Sequence, residues 1–151
     1  MPGLFPVFEV PGTIIEERKL DKKFKPAPFF DIEKGDFLIT GANRLIYGSG
    51  YDAWVFWCTK TVLTQRWSCL AYSENAGIEI EQAFAQKDRA AVESHFERTI
   101  TEALLADPKG RTVYVKNFEF KWLADAIFLT FQIVGADGDT ASIKVRLGEI
   151  M

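Results

Sequence analysis

The clearest periodicity in the chain lies between residues 88 and 105. Val92, Phe96, Ile100 and Leu104 recur along one face with Ala103 beside them, the 3.6-residue repeat of an amphipathic helix. Asp88 stands where an N-cap carboxylate accepts from free backbone N–H groups, and Asp107-Pro108-Lys109-Gly110 ends the helix because proline and glycine continue it poorly. Beyond Gly110 the period changes to two. Val113 and Val115 alternate, then Phe118, Phe120 and Trp122 do so in the other phase, which places a bulge or break at Lys116-Asn117. Residues 123–126 turn the chain into 127–134, where Ile127, Leu129, Phe131 and Ile133 alternate with Phe128, Thr130, Gln132 and Val134. Gly135-Ala136-Asp137-Gly138-Asp139 has the composition of a hairpin loop. In the last strand, 141–147, Ile143, Val145 and Leu147 share one face and Ser142, Lys144 and Arg146 the other.

A second helix is predicted from about Tyr51 to Gln65, with Ser49 or Asp52 as cap. Trp54, Trp57, Cys58, Thr61 and Val62 lie on one face, while Val55, Phe56 and Leu63 lie off it. Its first half is therefore apolar almost all round, as expected of a helix buried centrally or pressed on another subunit. Upstream, Phe37-Leu38-Ile39 reads as a short strand, Thr40-Gly41-Ala42-Asn43 as a turn and Leu45-Ile46-Tyr47 as its return. Residues 66–77 have no clean period and read as a loop or irregular strand. Together these elements predict an α+β fold: two main helices packed on an antiparallel sheet with a C-terminal three-stranded meander.

The first 35 residues differ. Five of the six prolines fall there, which excludes a long helix or a central strand. Yet Leu4, Phe5, Val7, Phe8, Ile14, Ile15, Phe24, Phe29 and Phe30 make the stretch too apolar for a plain linker. The division is an extended Pro-rich arm, 1–35, followed by a folded domain, 36–151, with the arm docking on this domain or on a partner; the alternative is a disordered tail.

Composition narrows the function classes. The chain has 151 residues, 48% of them apolar and 26% charged, which is globular usage and long enough to bury a core. A net charge of −3 argues against a general nucleic-acid or anionic-membrane binder, since those need a basic field. No apolar run approaches the roughly 20 residues of a membrane helix. The opening MPGLFPVFEVPG lacks the basic start of a signal peptide, so the expectation is a protein made in the cytoplasm. Thirteen Phe and four Trp stand against a single His.

Candidate chemistry is scarce. Cys58 and Cys69 lack metal-ligand spacing and read as two buried thiols; no metal or cofactor is expected. His95 has no evident partner and reads as a surface or helix-packing imidazole. Asp137-Gly138-Asp139 resembles part of a calcium loop but lacks its ligand positions and closing Glu. Paired carboxylates, the machinery of glycosidases, need one cleft and one raised pKa. Glu74, Glu79, Glu81 and Glu102 are the candidates. If Ile78-Glu79-Ile80-Glu81 is a strand, Glu79 and Glu81 form a solvated face instead.

The order and spacing of several short motifs carry a resemblance. A helix ending Val62-Leu63-Thr64-Gln65-Arg66 is followed by a loop with Tyr72, then Gly77-Ile78-Glu79. A helix ending Glu102-Ala103-Leu104-Leu105-Ala106-Asp107-Pro108 precedes a valine-rich strand, Phe118-Glu119-Phe120 and the GADGD hairpin. Over about residues 36–147 the chain resembles the small baseplate wedge proteins, or sheath initiators, of contractile phage tails and tail-like bacteriocins. It looks closest to the branch in defective prophages of Gram-positive bacteria.

That resemblance implies a structural role and no reaction. It implies a six-fold ring around the tail tube at the baseplate, assembled in the host cytoplasm, with sheath subunits, other wedge proteins and the tube or hub as partners. It further implies that arms from the first sheath layer add strands to the sheet, so that the sheath starts there. Some members grip the wedge's helical core with a Glu-Pro-Arg motif. The loop here has Arg66, Trp67, Tyr72 and Glu74 but no such Pro. The expected partner interface is therefore these four residues, Ser142, Lys144 and Arg146 on the last strand, and Phe5 and Phe8 on the arm. Two other classes stay open: a tail-associated, lysozyme-like glycan hydrolase using paired glutamates, and a free-standing ligand-binding domain.

Overall fold

Ser49 opens the first helix through a capping box. In the computed structural model, which describes residues 25–148, the Asp52 N–H donates to Ser49 Oγ (3.3 Å) and the Ser49 N–H donates back to Asp52 Oδ2 (3.0 Å). This helix, α1, spans Gly50–Val62 and buries Trp54, Cys58 and Val62. It stops short of Gln65 because residues 64–66 pair with the far end of the next loop. The Ile78 N–H donates to the Thr64 carbonyl (2.9 Å) and the Arg66 N–H to the Ile78 carbonyl (2.8 Å). Gly77 makes that approach possible: its φ is +87°, and a Cβ there would lie 2.5 Å from the Thr64 carbonyl oxygen.

The strand considered for residues 78–81 is not formed. Ile78 makes one parallel bridge to Gln65, and Ile80 already begins a short helix, α2, Ile80–Phe84. Helix α3, Arg89–Leu105, follows, with Asp88 Oδ1 accepting from the Ala91 N–H (2.8 Å). Its face of Val92, Phe96, Ile100, Ala103 and Leu104 is buried.

Strands β5 (Thr112–Trp122), β6 (Ala126–Gly135) and β7 (Thr140–Gly148) form the antiparallel meander, in the order β5-β6-β7. The register shifts between Lys116 and Glu119, where Asn117 takes a φ of +55°, so the phase change in the sequence is a bulge. A second shift between Thr112 and Tyr114 leaves Val113 exposed while Val115 packs on the core. Ile127, Leu129, Phe131 and Ile133 of β6, with Ile143, Val145 and Leu147 of β7, meet Trp54, Cys58, Phe96, Ile100 and Leu104 of the helices in one apolar cluster. The fold is α+β. Among the described residues no helix is long and apolar enough to cross a membrane.

Residues 27–48 form a separate small layer. Strands β1 (Ala27–Pro28) and β2 (Phe30–Asp31) pair antiparallel with β4 (Tyr47–Gly48) and β3 (Asp36–Phe37) respectively. The predicted turn is present: the Asn43 N–H donates to the Thr40 carbonyl (2.9 Å), and Ile39 bridges Leu45. Residues 27–31, included in the arm on composition, are thus paired with the stretch that follows them.

The thiols also part company. Cys58 is buried against Thr112, and burial pushes its pKa up to about 12, whereas Cys69 is exposed on the 66–77 loop. That loop packs little of itself inward, so its cysteine has no apolar seat.

Candidate functional site

Two surfaces collect the residues singled out in the sequence. The first is the loop from Arg66 to Gly77. Its base is held by Glu79, whose side chain is only 14% exposed. Arg66 donates to Glu79 Oε1 (3.3 Å) and to the Gly77 carbonyl (3.2 Å), closing the loop on itself. From α3, Arg98 donates to Glu79 Oε2 (3.1 Å) and to Glu102 Oε1 (2.9 Å), and His95 Nε2 lies 2.9 Å from Glu79 Oε2. An ionised carboxylate only accepts, so the imidazole carries its proton on Nε2 in this contact. His95 is therefore a partnered residue, and the reading of it as isolated is corrected. Glu79 joins Arg66, His95 and Arg98, which lie 13, 16 and 19 positions from it in sequence. A hint lay in His95, Arg98 and Glu102 recurring at helical spacing on one side of α3.

Glu79 is not the solvated member of a carboxylate pair. Partial burial raises its pKa, but hydrogen bonds from Arg98 and His95 and the charge of Arg66 act the other way and leave it below the ordinary value. A glycosidase general acid requires the opposite shift. Glu74 and Glu81 are exposed, and Glu102 is shared between Arg98 and Arg66.

Arg66 faces inward, so what the loop presents outward is Trp67, Leu70, Tyr72 and Glu74. Trp67 is 59% exposed, with φ +63° and the Arg66 guanidinium 5.8 Å from its ring centroid. Leu70, fully exposed, was not anticipated, since no periodic pattern distinguishes it from a core leucine.

The second surface is the outer edge of β7. Among the described residues β7 pairs only with β6. Apart from the Thr140 carbonyl, which accepts from the Tyr51 hydroxyl (3.0 Å), no backbone group on its outer side is bonded within the described chain. Ser142, Lys144 and Arg146 are exposed along it, and Arg146 donates to both carboxylate oxygens of Asp125 (3.2 Å each). The two surfaces lie on different elements, and among the described residues no side-chain hydrogen bond or ion pair joins them. Phe5 and Phe8 fall outside the described residues.

The family model for contractile injection system sheath initiators matches residues 28–138. The chain belongs to this family. The matched span begins inside β1 and runs through the 66–77 loop, the Glu79 network and the first two strands of the meander. A sheath initiator of a contractile injection system is a structural component of the tail and baseplate. No curated protein matches the chain.

Proposed function

We propose that this sheath initiator is a non-enzymatic baseplate component of a contractile phage tail or tail-like bacteriocin, and that the outer edge of β7 receives a strand from the first sheath layer. The observation that carries the reading is the unpaired edge of β7. Its inward residues, Ile143, Val145 and Leu147, are already buried in this chain's own core, so an added strand extends a finished sheet. Lys144 and Arg146 discourage random pairing at that edge while tolerating a partner of matching charge.

In this reading the 66–77 loop takes the place of the absent Glu-Pro-Arg grip. Trp67 and Tyr72 contact the neighbouring wedge protein, Glu74 adds a rim charge, and Arg66 braces the loop from within. Phe5 and Phe8 are anchors on the N-terminal arm. Copies form a six-fold ring around the tube, assembled in the host cytoplasm.

Deleting the gene, inducing particles and imaging them by electron microscopy tests the role. The expected result is bare tubes, missing baseplates or free polymerised sheath; intact contracting particles overturn it. Hydrogen exchange tests the mechanism: adding sheath subunits should slow exchange of β7 edge amides. Unchanged β7 exchange in a formed complex eliminates strand addition there.

A further inference from the structure

The small layer of residues 27–48 and helix α1 leave a groove between them. Phe30, Ile32 and Phe37 line one side, Phe56 and Leu63 the other, and Lys60 stands at the rim, enclosing about 290 Å³. Its walls are aromatic: the Phe30 ring lies 5.1 Å from Phe37 and 5.9 Å from Phe56, centroid to centroid. Dry cavities of about 150 Å³ already admit benzene, so a groove of this size accepts a phenyl ring with room to spare. Ile32, Phe37 and Leu63 remain exposed around it, which for residues of this size is the mark of a docking surface.

We infer that the groove seats the chain's own N-terminal segment, with Phe8 as the inserted residue. Residues 1–24 precede Lys25, the first described residue and two positions before β1, so the segment joins the chain next to the layer that forms the groove. It carries Leu4-Phe5-Pro6-Val7-Phe8-Glu9, a short apolar run in which proline fixes φ and lowers the entropy lost on ordering. Glu9 follows the phenyl ring, and Lys60, whose ammonium lies 6.0 Å from the Tyr72 centroid, is the one cation among the lining residues. From Phe8 to Lys25 is 17 positions. Extended, that length spans roughly 55 Å, more than enough to fold back. A tether of this kind gives an effective concentration on the order of millimolar, which favours the same chain over a second copy in dilute solution. The inference concerns the free chain and stands apart from sheath assembly, so either can fail without the other.

Cross-linking in the full-length protein tests it. In a Cys69→Ser background, which leaves the buried Cys58, Val7→Cys is paired with Thr64→Cys on the groove wall, and with Ser142→Cys on β7 as a control. Mild oxidation should give a 7–64 disulfide in the monomer, several-fold above the control and independent of protein concentration. Adding Phe8→Ser should return the yield to the control level. Disulfide-linked dimers whose yield rises with concentration assign the groove to a second copy and overturn the inference. So does a 7–64 yield equal to the control, or one unchanged by Phe8→Ser.

Discussion

The meander with its two long helices and the small layer of residues 27–48 use similar side chains to opposite ends. In the first, Trp54, Phe96, Phe131, Ile127 and Leu129 have no exposed surface, and sheet and helices close on each other. In the second, a layer built on strands of two residues leaves Phe29, Ile32, Phe37, Leu38, Ile39, Leu45, Ile46 and Tyr47 between 36% and 62% exposed. Strands so short cannot build an independent core, so their apolar residues contribute little to the stability of the chain alone. A closed body thus carries a layer whose apolar residues stay partly exposed. The family match includes both, starting at residue 28, so the layer belongs to the sheath-initiator unit.

The largest effects should fall in the closed body. Phe131→Ala removes a fully buried ring that stacks 5.4 Å from Phe118, and should cost about 3–5 kcal/mol in urea unfolding. Asp107→Ala should cost a similar ~3–5 kcal/mol, because it strands a buried cation. Asp107 Oδ2 accepts from Arg111 Nε at 2.7 Å, Asp107 Oδ1 accepts from the Lys109 N–H at 3.1 Å, and the Arg111 guanidinium lies 5.2 Å from the Trp57 centroid. This pair fixes the turn from α3 into β5. A cost below about 1 kcal/mol for either variant would erase the contrast between the two regions. Next in size is Gly77→Ala, which forces a Cβ onto the Thr64 carbonyl at positive φ; about 1–3 kcal/mol is expected.

Acid should separate the regions in another way. Glu79 has a folded pKa below its ordinary 4.5, so its ionised contacts stabilise the fold above that value. Their contribution is lost as pH falls through the lower folded value, where the carboxylate becomes protonated in the native state too. Glu79→Gln should therefore be less stable than the parent at pH 7, with the gap narrowing progressively below pH 4.5. Urea midpoints at several pH values measure this. A gap that stays constant down to acid pH would mean that ionisation of Glu79 does not brace the loop.

Much of the closed body is legible from spacing. The α3 stripe ending at Leu104, the alternation of Ile127 to Ile133 and of Ile143 to Leu147, and the phase change at Asn117 each follow from a local period that the core then uses. The candidate site is less legible because its decisive contacts are not local. Ile78-Glu79-Ile80-Glu81 alternates like a strand, yet α2 is too short to show a helical period, and it packs against α3. Glu79, 16 positions from His95, is paired by that packing. Cys69 and Leu70 show the limit from the other side: nothing in their residue types tells a loop from a core. The edge of β7 is legible as a pattern, since Ser142, Lys144 and Arg146 alternate with buried neighbours, but that it lies outermost follows from strand order.

The smallest expected effect tests the open layer most directly. Ile39 is 55% exposed, and among the described residues it pairs through a single bridge, to Leu45. Ile39→Thr keeps the β-branched shape that suits an extended backbone and replaces the ethyl arm, on water-facing surface, with a hydroxyl. A residue of this kind in the closed body, cut back in the same way, loses both transfer energy and packing. Here the ethyl arm has little of either, so stability should change by less than about 0.5 kcal/mol. If the layer serves contacts with other subunits, the same substitution should lower the yield of complete particles while the free protein unfolds at an unchanged urea midpoint. A fall of 1 kcal/mol or more in the free protein, roughly what an exposed position never gives, would show that residues 27–48 are part of the core the chain folds on, and the division into a closed body and an open layer would have to be abandoned.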